Sequence, residues 1–387
     1  MGDPARRPTL RRRLAALALG SACALGMAEG VVRLQLRTDL FAVRVPGSEV
    51  VMHPEAGGLT GIEGTSVQRI TSLGLRGRER APDDALSILC VGGSTTACEY
   101  LSDGETWPDL LGSELSETVG ETVWVGNAGT SGQRAIDHVT TLGQLLDPLA
   151  PLDAVVVLAG INDASHVVLH RGTPPADPPP ASGGQLARVF AVRPLEPALW
   201  PLSRTALGQA LHRLRRARWD AAALEDPEGS AYATRRELRD RGPELELALN
   251  LEPAFERAYR EHLEWCVNAT RRRGATAVLV TQPTLWSTED ASALDRCWFG
   301  WVDALPWDGP TGYVRLEVLR TVLSRLNSAT RAAAATTGAL LVDLERSLDG
   351  DASAFYDDCH FTEAGAARVA EEIAAVLSAG DRAFRSR

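Results

Sequence analysis

Five short apolar runs, alternating with stretches of helical character, constrain the fold of this chain most strongly. The third run, rich in valine, is typical of a strand that is buried on both faces. Strands that alternate with helices predict a parallel sheet with right-handed crossovers and helices on both faces. The predicted strands are Ser87–Val91, Glu121–Gly126, Asp153–Leu158, Ala275–Val280 and Ala339–Leu344. The predicted helices are Thr106–Glu117, Gly132–Leu149, Pro253–Arg273, Tyr313–Ala335 and Glu363–Leu377.

Four short motifs follow predicted strands, where open α/β sheets bind their ligands. They are Gly92-Gly93-Ser94, Asn127 to Gly132, Gly160-Ile161-Asn162-Asp163 and Asp357-Asp358-Cys359-His360. Because the carboxyl ends of parallel strands meet at one edge, all four motifs are predicted to lie close together. Ser94 is also predicted to begin a helix, where free N–H groups and the helix dipole favour negative charge.

These residue types are those that acyl transfer requires: a nucleophile, a base, an orienting carboxylate and donors for an oxyanion. Ser94 supplies a hydroxyl, and His360 alone among the seven histidines follows an acidic pair in a loop after a strand. Asp357 can hold the imidazole N–H and fix its tautomer, whereas Asp358 is predicted to be solvated. The predicted oxyanion donors are the backbone N–H groups of Ser94 and Gly132 and the side-chain amide of Asn162.

In this order the motifs resemble the four sequence blocks of the SGNH or GDSL hydrolases. The resemblance covers Ser87–Asp163 and about Ala254–Leu377. It implies a flavodoxin-like three-layer α/β/α fold around a central parallel five-stranded sheet, preceded here by an N-terminal hydrophobic helix. It also implies a Ser94-His360-Asp357 triad with Ser94, Gly132 and Asn162 as the oxyanion hole.

Two details of the motifs bear on this resemblance. Gly93 stands where the GDSL name has an aspartate, which leaves the serine itself intact. Gly129 is a rival to Gly132 as an oxyanion donor, and the spacing after Asn127 favours Gly132.

Asp163 is interpreted as a structural residue that caps its own loop.

Composition excludes several other classes of function. The net charge of −10 argues against nucleic acid as a partner. All 40 basic residues are arginine, which excludes a phosphate-loop lysine and Schiff-base chemistry. The six cysteines have no metal-ligand spacing, and five of them are expected to be buried free thiols. The sequence therefore predicts neither a metal nor another cofactor.

The first 35 residues have the layout of a secretory signal. Five arginines within residues 1–13 precede an uncharged run from Leu14 to Ala28. Gly26 and Ala28, small residues on either side of Met27, have the spacing for cleavage before Glu29, which would give a secreted protein. Alternatively, Leu14 to Val32 stays as a membrane anchor of just sufficient length, and this is the preferred interpretation. Both interpretations place the catalytic domain outside the cytoplasm, because the arginines keep the N-terminus inside.

The remaining chain divides into a loop-rich lead-in, residues 36–85, and a hydrolase domain, residues 86–380. Within the lead-in, Ile70–Gly77 is a candidate edge strand that leads into the core. A proline-rich run from Thr173 to Gly184 opens an insertion, residues 171–250, because it suits neither a helix nor a central strand. Within the insertion, Leu202–Leu224 is an amphipathic helix candidate. Its arginine-rich face would be solvated or would rest on anionic lipid.

Residues 286–307 hold four of the nine tryptophans. The region is interpreted either as a loop packed by its own aromatic rings or as a wall of the substrate site. The candidate substrate-binding residues are Trp298, Trp301 and Trp307.

The sequence therefore predicts an exported or membrane-anchored serine esterase that acts on short acyl esters of carbohydrate or lipid. An O-acyltransferase acting on a cell-envelope polysaccharide is an alternative that uses the same triad. A catalytically inactive glycan-binding module is a second alternative.

Overall fold

The computed structural model describes residues 10–35, 40–54, 58–62, 64–172, 174–194, 205–208, 210, 229–245, 253–302 and 311–384. The strands in this part are β1 (Glu49–Met52), β2 (Ser66–Arg69), β3 (Leu86–Gly92), β4 (Val123–Asn127), β5 (Ala154–Leu158), β6 (Glu244–Leu245), β7 (Thr276–Val280), β8 (Trp301–Val302), β9 (Gly312–Val314) and β10 (Leu340–Val342). The helices are α1 (Leu10–Gln35), α2 (Ser94–Ala97), α3 (Trp107–Val119), α4 (Ala135–Leu149), α5 (Ile161–Leu169), α6 (Gly183–Val189), α7 (Ser230–Arg241), α8 (Pro253–Arg271), α9 (Ala291–Leu294), α10 (Leu316–Thr337), α11 (Leu344–Ser347) and α12 (Glu363–Gly380).

The central sheet has five parallel strands in the order β10-β7-β5-β3-β4. Every residue of β3, β4 and β5 is buried, as continuous apolar strands require. The strand order reverses direction between β3 and β5, which is the point where sheets of this flavodoxin-like order bind ligands. The predicted fold class and all five predicted strands are confirmed.

Helices cover both faces of this sheet. The β3–β4 and β4–β5 connections run in opposite directions along the sheet, so right-handed crossovers place α3 and α4 on opposite faces. Helix α12 packs on α3, and α8 packs between α4 and α10. The buried stripe of α3 includes Trp107, Leu111 and Leu115, all without exposed surface. Three layers, α/β/α, follow from this arrangement.

Two features differ from the predicted elements. Ile70–Gly77, predicted as an edge strand, forms two isolated antiparallel bridges, Ile70 with Arg76 inside the segment and Arg76 with Asn127 at the end of β4. A turn interrupts it, with Thr71 N–H donating to the Leu75 carbonyl at 2.8 Å. Helix α5, which begins within the third motif at Ile161, was not predicted.

The insertion contributes α6, α7 and β6 to the described structure. Strand β6 forms a small sheet with β8, from the tryptophan-rich region, and with β9, which follows that region. The predicted amphipathic helix Leu202–Leu224 lies almost entirely outside the described residues.

The N-terminal helix α1 runs without a break through Glu29. No helix in the described part of the chain has the combined length and hydropathy that a membrane crossing needs. All six cysteines are free; Cys23 is exposed on α1 and the other five are buried, as predicted.

Candidate active site

The Ser94 hydroxyl lies at a tight turn between β3 and α2. Gly93 is the N-cap residue of the helix and has an extended backbone. A Cβ at Gly93 would lie 2.5 Å from Asn162 Nδ2, and a Cβ at Gly92 would lie 2.8 Å from the Leu158 carbonyl oxygen. The two glycines therefore allow the serine turn to approach β5 and the motif that follows it.

Buried side chains fix helix α2 beneath the serine. Arg76 has no exposed surface and donates to the Ala97 carbonyl oxygen, at the end of the helix, at 2.7 Å. Trp107 Nε1 donates to the Thr95 carbonyl oxygen at 3.0 Å. Because these donors satisfy backbone carbonyls, the one-turn helix is held in one orientation relative to the sheet.

Ser94, His360 and Asp357 form a continuous hydrogen-bonded relay. Ser94 Oγ lies 2.7 Å from His360 Nε2, and His360 Nδ1 lies 2.7 Å from Asp357 Oδ2. The other carboxylate oxygen, Oδ1, accepts from the backbone N–H groups of Cys359 at 3.0 Å and His360 at 2.9 Å. A proton on Nδ1, facing the carboxylate, leaves Nε2 as the acceptor for the serine hydroxyl. The structure thus brings the three predicted triad residues into contact.

Burial and charge act on this pair in opposite directions. Burial would raise the pKa of Asp357, but the charge and hydrogen bond of His360, with two backbone N–H groups, hold it below its ordinary value of 3.8. Burial would lower the pKa of His360, but the Asp357 carboxylate raises it above the ordinary 6.5. Tyr356 stacks on the imidazole, with ring centroids 5.5 Å apart. The result is an ionised carboxylate beside an imidazole that is more basic than a free histidine.

The neighbouring Asp358 is buried, so the prediction that it is solvated is wrong. Its carboxylate accepts from Trp286 Nε1 at 2.5 Å and from the backbone N–H groups of Trp298 at 2.7 Å and Phe299 at 3.2 Å. Burial, and then the charge of Asp357, raise the pKa of Asp358 to about 6. The second acid of the motif therefore anchors the tryptophan-rich region beside the relay.

The candidate substrate-binding tryptophans are in different environments. Trp298 Nε1 donates to Asp357 Oδ2 at 3.0 Å, so its indole contacts the relay directly. Trp301 is 43% exposed and packs against Tyr313, with ring centroids 4.9 Å apart. Trp307 lies outside the described residues.

Two of the predicted oxyanion donors, the Ser94 N–H and the Asn162 amide, lie at the turn that carries the serine hydroxyl. The Asn162 amide lies against Gly93 and uses one N–H to donate to the Gln133 carbonyl at 2.9 Å, which leaves its second N–H available. Within the described residues, the backbone N–H groups of Ser94 and Gly132 have no acceptor. Free donors of this kind can stabilise a negative charge that develops beside the serine.

The structure distinguishes the two glycines that compete in the second motif. The Gly129 N–H donates to Asn127 Oδ1 at 2.8 Å, so it is already used. A Cβ at Gly129 would lie 2.5 Å from the Ala97 backbone nitrogen, which explains the glycine by close packing. Gly132 is exposed, so its backbone N–H is the accessible one.

Asp163 is structural, but it caps a different element from the one predicted. Its two carboxylate oxygens accept from the backbone N–H of Ala135 at 3.3 and 3.2 Å, at the start of α4. Burial raises the pKa of Asp163 to about 7. The residue therefore links the third motif to the helix that follows the second.

Two residues of the insertion, neither of them in the four motifs, reach the site. Arg188 on α6 donates to the Gly132 carbonyl at 3.2 Å and to both carboxylate oxygens of Asp137 at 3.0 Å. Tyr232 on α7 lies edge-on to His360, with ring centroids 6.3 Å apart. The sequence contains an indication of helix α6, because Ser182, which follows the prolines, is a residue type that favours the N-cap position and is the N-cap of this helix. No comparable signal marks the side chain of Tyr232.

Among the described residues, one group of side chains has metal-ligating atoms within 4.8 Å of one another: Asp357, Cys359 and His360. Both imidazole nitrogens of His360 are already engaged, by Asp357 and by Ser94. The arrangement is therefore better suited to proton transfer than to holding an ion. A hydroxyl, an imidazole and a carboxylate in this order can activate the hydroxyl as a nucleophile.

Comparison with known proteins assigns the family. Residues 90–368, which include all four motifs, match the GDSL-like Lipase/Acylhydrolase family. No curated protein matches the chain.

Solved structures show weaker similarity. LAE5, an alpha/beta hydrolase enzyme from the metagenome of Lake Arreo, is 16% identical, with 77% of this chain and 97% of that chain covered and a TM-score of 0.41. Axe2, an acetylxylan esterase from Geobacillus stearothermophilus, is 14% identical, with 79% and 98% covered and a TM-score of 0.41. TesA is 16% identical, with 76% and 98% covered and a TM-score of 0.39. The assignment therefore rests on the family match: the chain belongs to the GDSL-like lipase/acylhydrolase family and is a serine hydrolase that acts on ester bonds.

Proposed function

We propose that this enzyme hydrolyses short acyl esters of carbohydrate or lipid through a Ser94-His360-Asp357 triad. The observation that carries the proposal is the pair of 2.7 Å contacts that join the serine hydroxyl, the imidazole and the carboxylate. The contacts have the geometry that a general base needs for proton transfer.

In the proposed reaction, Ser94 Oγ attacks the ester carbonyl carbon while His360 Nε2 takes the hydroxyl proton. The carbonyl oxygen becomes an oxyanion, which accepts from the N–H groups of Ser94 and Gly132 and from the Asn162 amide. His360 then gives the proton to the departing alcohol, which leaves an acyl group on Ser94. Water, activated by the same imidazole, releases the acid and restores the serine.

The preference for a short acyl group is supported by the surroundings of Ser94. Two surface cavities of about 680 and 560 Å³ are lined by residues such as Arg320 and Arg78, and neither includes a residue of the relay. A long acyl chain needs a deep apolar pocket to bury its surface. The rings of Tyr232 and Tyr356 lie close to His360, with centroids 6.3 and 5.5 Å from that of the imidazole, and this crowding suits an acetyl or similarly small group.

The test is hydrolysis of nitrophenyl esters from acetyl to dodecanoyl, with the Ser94→Ala variant as the blank. We expect kcat/KM to fall steeply as the acyl chain lengthens. A rise with chain length would contradict the short-acyl preference and indicate lipid acyl groups. Products that form only when a sugar acceptor competes with water would indicate the O-acyltransferase instead. Glycan binding without turnover of any ester would indicate the inactive module.

We further propose that the N-terminal segment directs the hydrolase domain out of the cytoplasm and stays attached to the membrane as an anchor. Its arginines precede an apolar run, and Leu17, Leu19 and Met27 on α1 are each more than 65% exposed. Apolar side chains exposed in this way gain free energy when lipid covers them. A C-terminal reporter that is active only in the cytoplasm would contradict export. A shortened mature protein in the soluble exported fraction would contradict the anchor.

Replacing Trp298 with phenylalanine is expected to shift the acid limb of the kcat/KM–pH profile to higher pH. The substitution removes the N–H that donates to Asp357 Oδ2 and keeps an aromatic ring. A carboxylate that loses a donor stabilises the imidazolium more strongly, so the pKa of His360 rises further above its ordinary value. At pH values on the acid limb we expect kcat/KM to fall by about tenfold, because a hydrogen bond to a charged group contributes about 1.5 kcal/mol.

The matched control is Trp301→Phe, because Trp301 packs on Tyr313 and has no hydrogen bond to Asp357 in the described structure. Its pH profile is expected to stay unchanged. An acid limb that does not move in Trp298→Phe would show that the indole N–H does not tune the relay.

A further inference from the structure

Helix α7, part of the insertion, covers the His360 side of the relay. Tyr232 on this helix is only 8% exposed and lies within a cluster of aromatic rings. Its ring centroid lies 6.3 Å from that of His360 and 5.7 Å from that of Trp298. A residue one turn from Tyr232 on the same face of α7 is therefore close to any substrate that reaches His360.

Hydrogen bonds attach this helix to both sides of the site. Arg236 donates to the Gly58 carbonyl at 2.9 Å, in the lead-in. Arg239 donates to the Phe299 carbonyl and, at 3.3 Å, to the Val314 carbonyl. Helix α7 is thus held between the lead-in and the tryptophan-rich region, and its side chains have a defined position beside the relay.

Arg235 differs from the other arginines of α7. It is exposed, and its guanidinium carbon lies 4.5 Å from the Trp298 ring centroid and 5.7 Å from that of Tyr232. Arg236 and Arg239 donate to carbonyls, and Arg241 pairs with Glu237 at 2.6 Å. Within the described residues, the Arg235 side chain has neither a hydrogen-bond acceptor nor a carboxylate partner. Its cation–π contacts hold the group without using its N–H donors.

A guanidinium that stacks on an aromatic ring keeps its N–H groups in its own plane and available. That fork matches the two oxygens of a carboxylate or the oxygens of a phosphate. The chain as a whole carries a charge of −10 and would repel an anion at long range, so such recognition has to be local. Arg235 provides a positive charge that is positioned over Trp298 and Tyr232, the second of which lies edge-on to the proposed general base.

We propose that Arg235 binds an anionic group, a carboxylate or a phosphate, on the alcohol portion of the ester substrate. The assignment to the alcohol side rests on the proposed function, in which His360 returns its proton to the departing alcohol. Tyr232 on α7 lies edge-on to the imidazole that would protonate the alcohol, so we place the leaving alcohol beside α7. The substrate class that follows is a short acyl ester of a negatively charged sugar or of an anionic lipid headgroup.

The test compares two acetyl esters that differ in charge on the alcohol side, 4-acetoxybenzoate and its neutral methyl ester. We expect Arg235→Gln to lower kcat/KM for 4-acetoxybenzoate about fivefold, the effect of one exposed ion pair. Turnover of the methyl ester is expected to stay within about twofold of the unmodified enzyme. Arg235→Lys keeps the charge without the planar fork, so compared with Arg235→Gln it is expected to retain part of the preference for 4-acetoxybenzoate over the methyl ester. The matched control is Arg241→Gln, on the same helix and paired with Glu237.

Two further measurements separate the possible outcomes. If Arg235→Gln changes kcat/KM equally for the two esters, or changes neither value, the proposed anion site is contradicted. The proposed ester hydrolysis by the triad is then unaffected. Calorimetry with the Ser94→Ala variant measures 4-acetoxybenzoate binding without turnover; loss of that binding in Ser94→Ala/Arg235→Gln supports the site even if the hydrolase proposal fails. Acetylated acidic sugars and acetylated glycerophosphates, tested in the same way, distinguish a carboxylate from a phosphate.

Discussion

The Ser94→Ala variant is expected to lose ester hydrolysis by about six orders of magnitude and to lose all covalent labelling by a serine-reactive phosphonate. The expectation follows from the position of the hydroxyl, which lies 2.7 Å from His360 Nε2 at the end of β3. Without the hydroxyl no acyl-enzyme forms, and the oxyanion donors alone retain only weak catalysis. Labelling followed by mass spectrometry of the modified peptide measures the result directly.

The control for this prediction is Ser131→Ala. Ser131 lies in the second motif, and its hydroxyl is bound to Glu99 at 2.5 Å rather than to an imidazole. The Ser131→Ala variant is expected to keep phosphonate labelling at Ser94 and most of its activity. A phosphonate adduct on any serine of Ser94→Ala would contradict the assignment of the nucleophile.

Sequence alone was sufficient to predict the sheet and the residues that meet at its edge. Strands β3 and β5 are continuous apolar runs, and in a parallel sheet their carboxyl ends must lie side by side. For that reason Ser94 after β3 and Asn162 after β5 were expected to be close together. In the structure the Asn162 amide indeed lies against Gly93, the residue before the serine.

Contacts made by the insertion and the tryptophan-rich region could not be predicted in the same way. Trp298 donates to Asp357 because Asp358 binds the backbone of residues 298 and 299, and no periodic pattern encodes that geometry. The same holds for Tyr232, whose helix is positioned by arginines that donate to backbone carbonyls. Such contacts depend on the tertiary path of two irregular segments rather than on local propensity.

Substitution of the adjacent acids at positions 357 and 358 is expected to have very different effects on activity. Asp357→Asn is expected to keep the fold and to lower kcat/KM by about four orders of magnitude. An amide at this position offers an N–H to His360 Nδ1, which would turn the imidazole proton towards Ser94 and leave no acceptor for the serine hydroxyl. Comparing kcat/KM with the thermal midpoint of unfolding separates this effect from a loss of folding.

Asp358→Asn is expected to lower kcat/KM by less than tenfold at neutral pH. Its carboxyl contacts Trp286 through Oδ1 and the Trp298 backbone through Oδ2, not the imidazole, and an asparagine keeps an acceptor oxygen for one of these two contacts. Burial already raises the pKa of Asp358 to about 6, so the fold accepts a neutral carboxyl at this position in mildly acidic solution. A neutral asparagine is therefore expected to be tolerated. Equal losses in the two variants would mean that the relay depends on the acidic pair as a unit. A larger loss in Asp358→Asn would mean that the orienting carboxylate is Asp358.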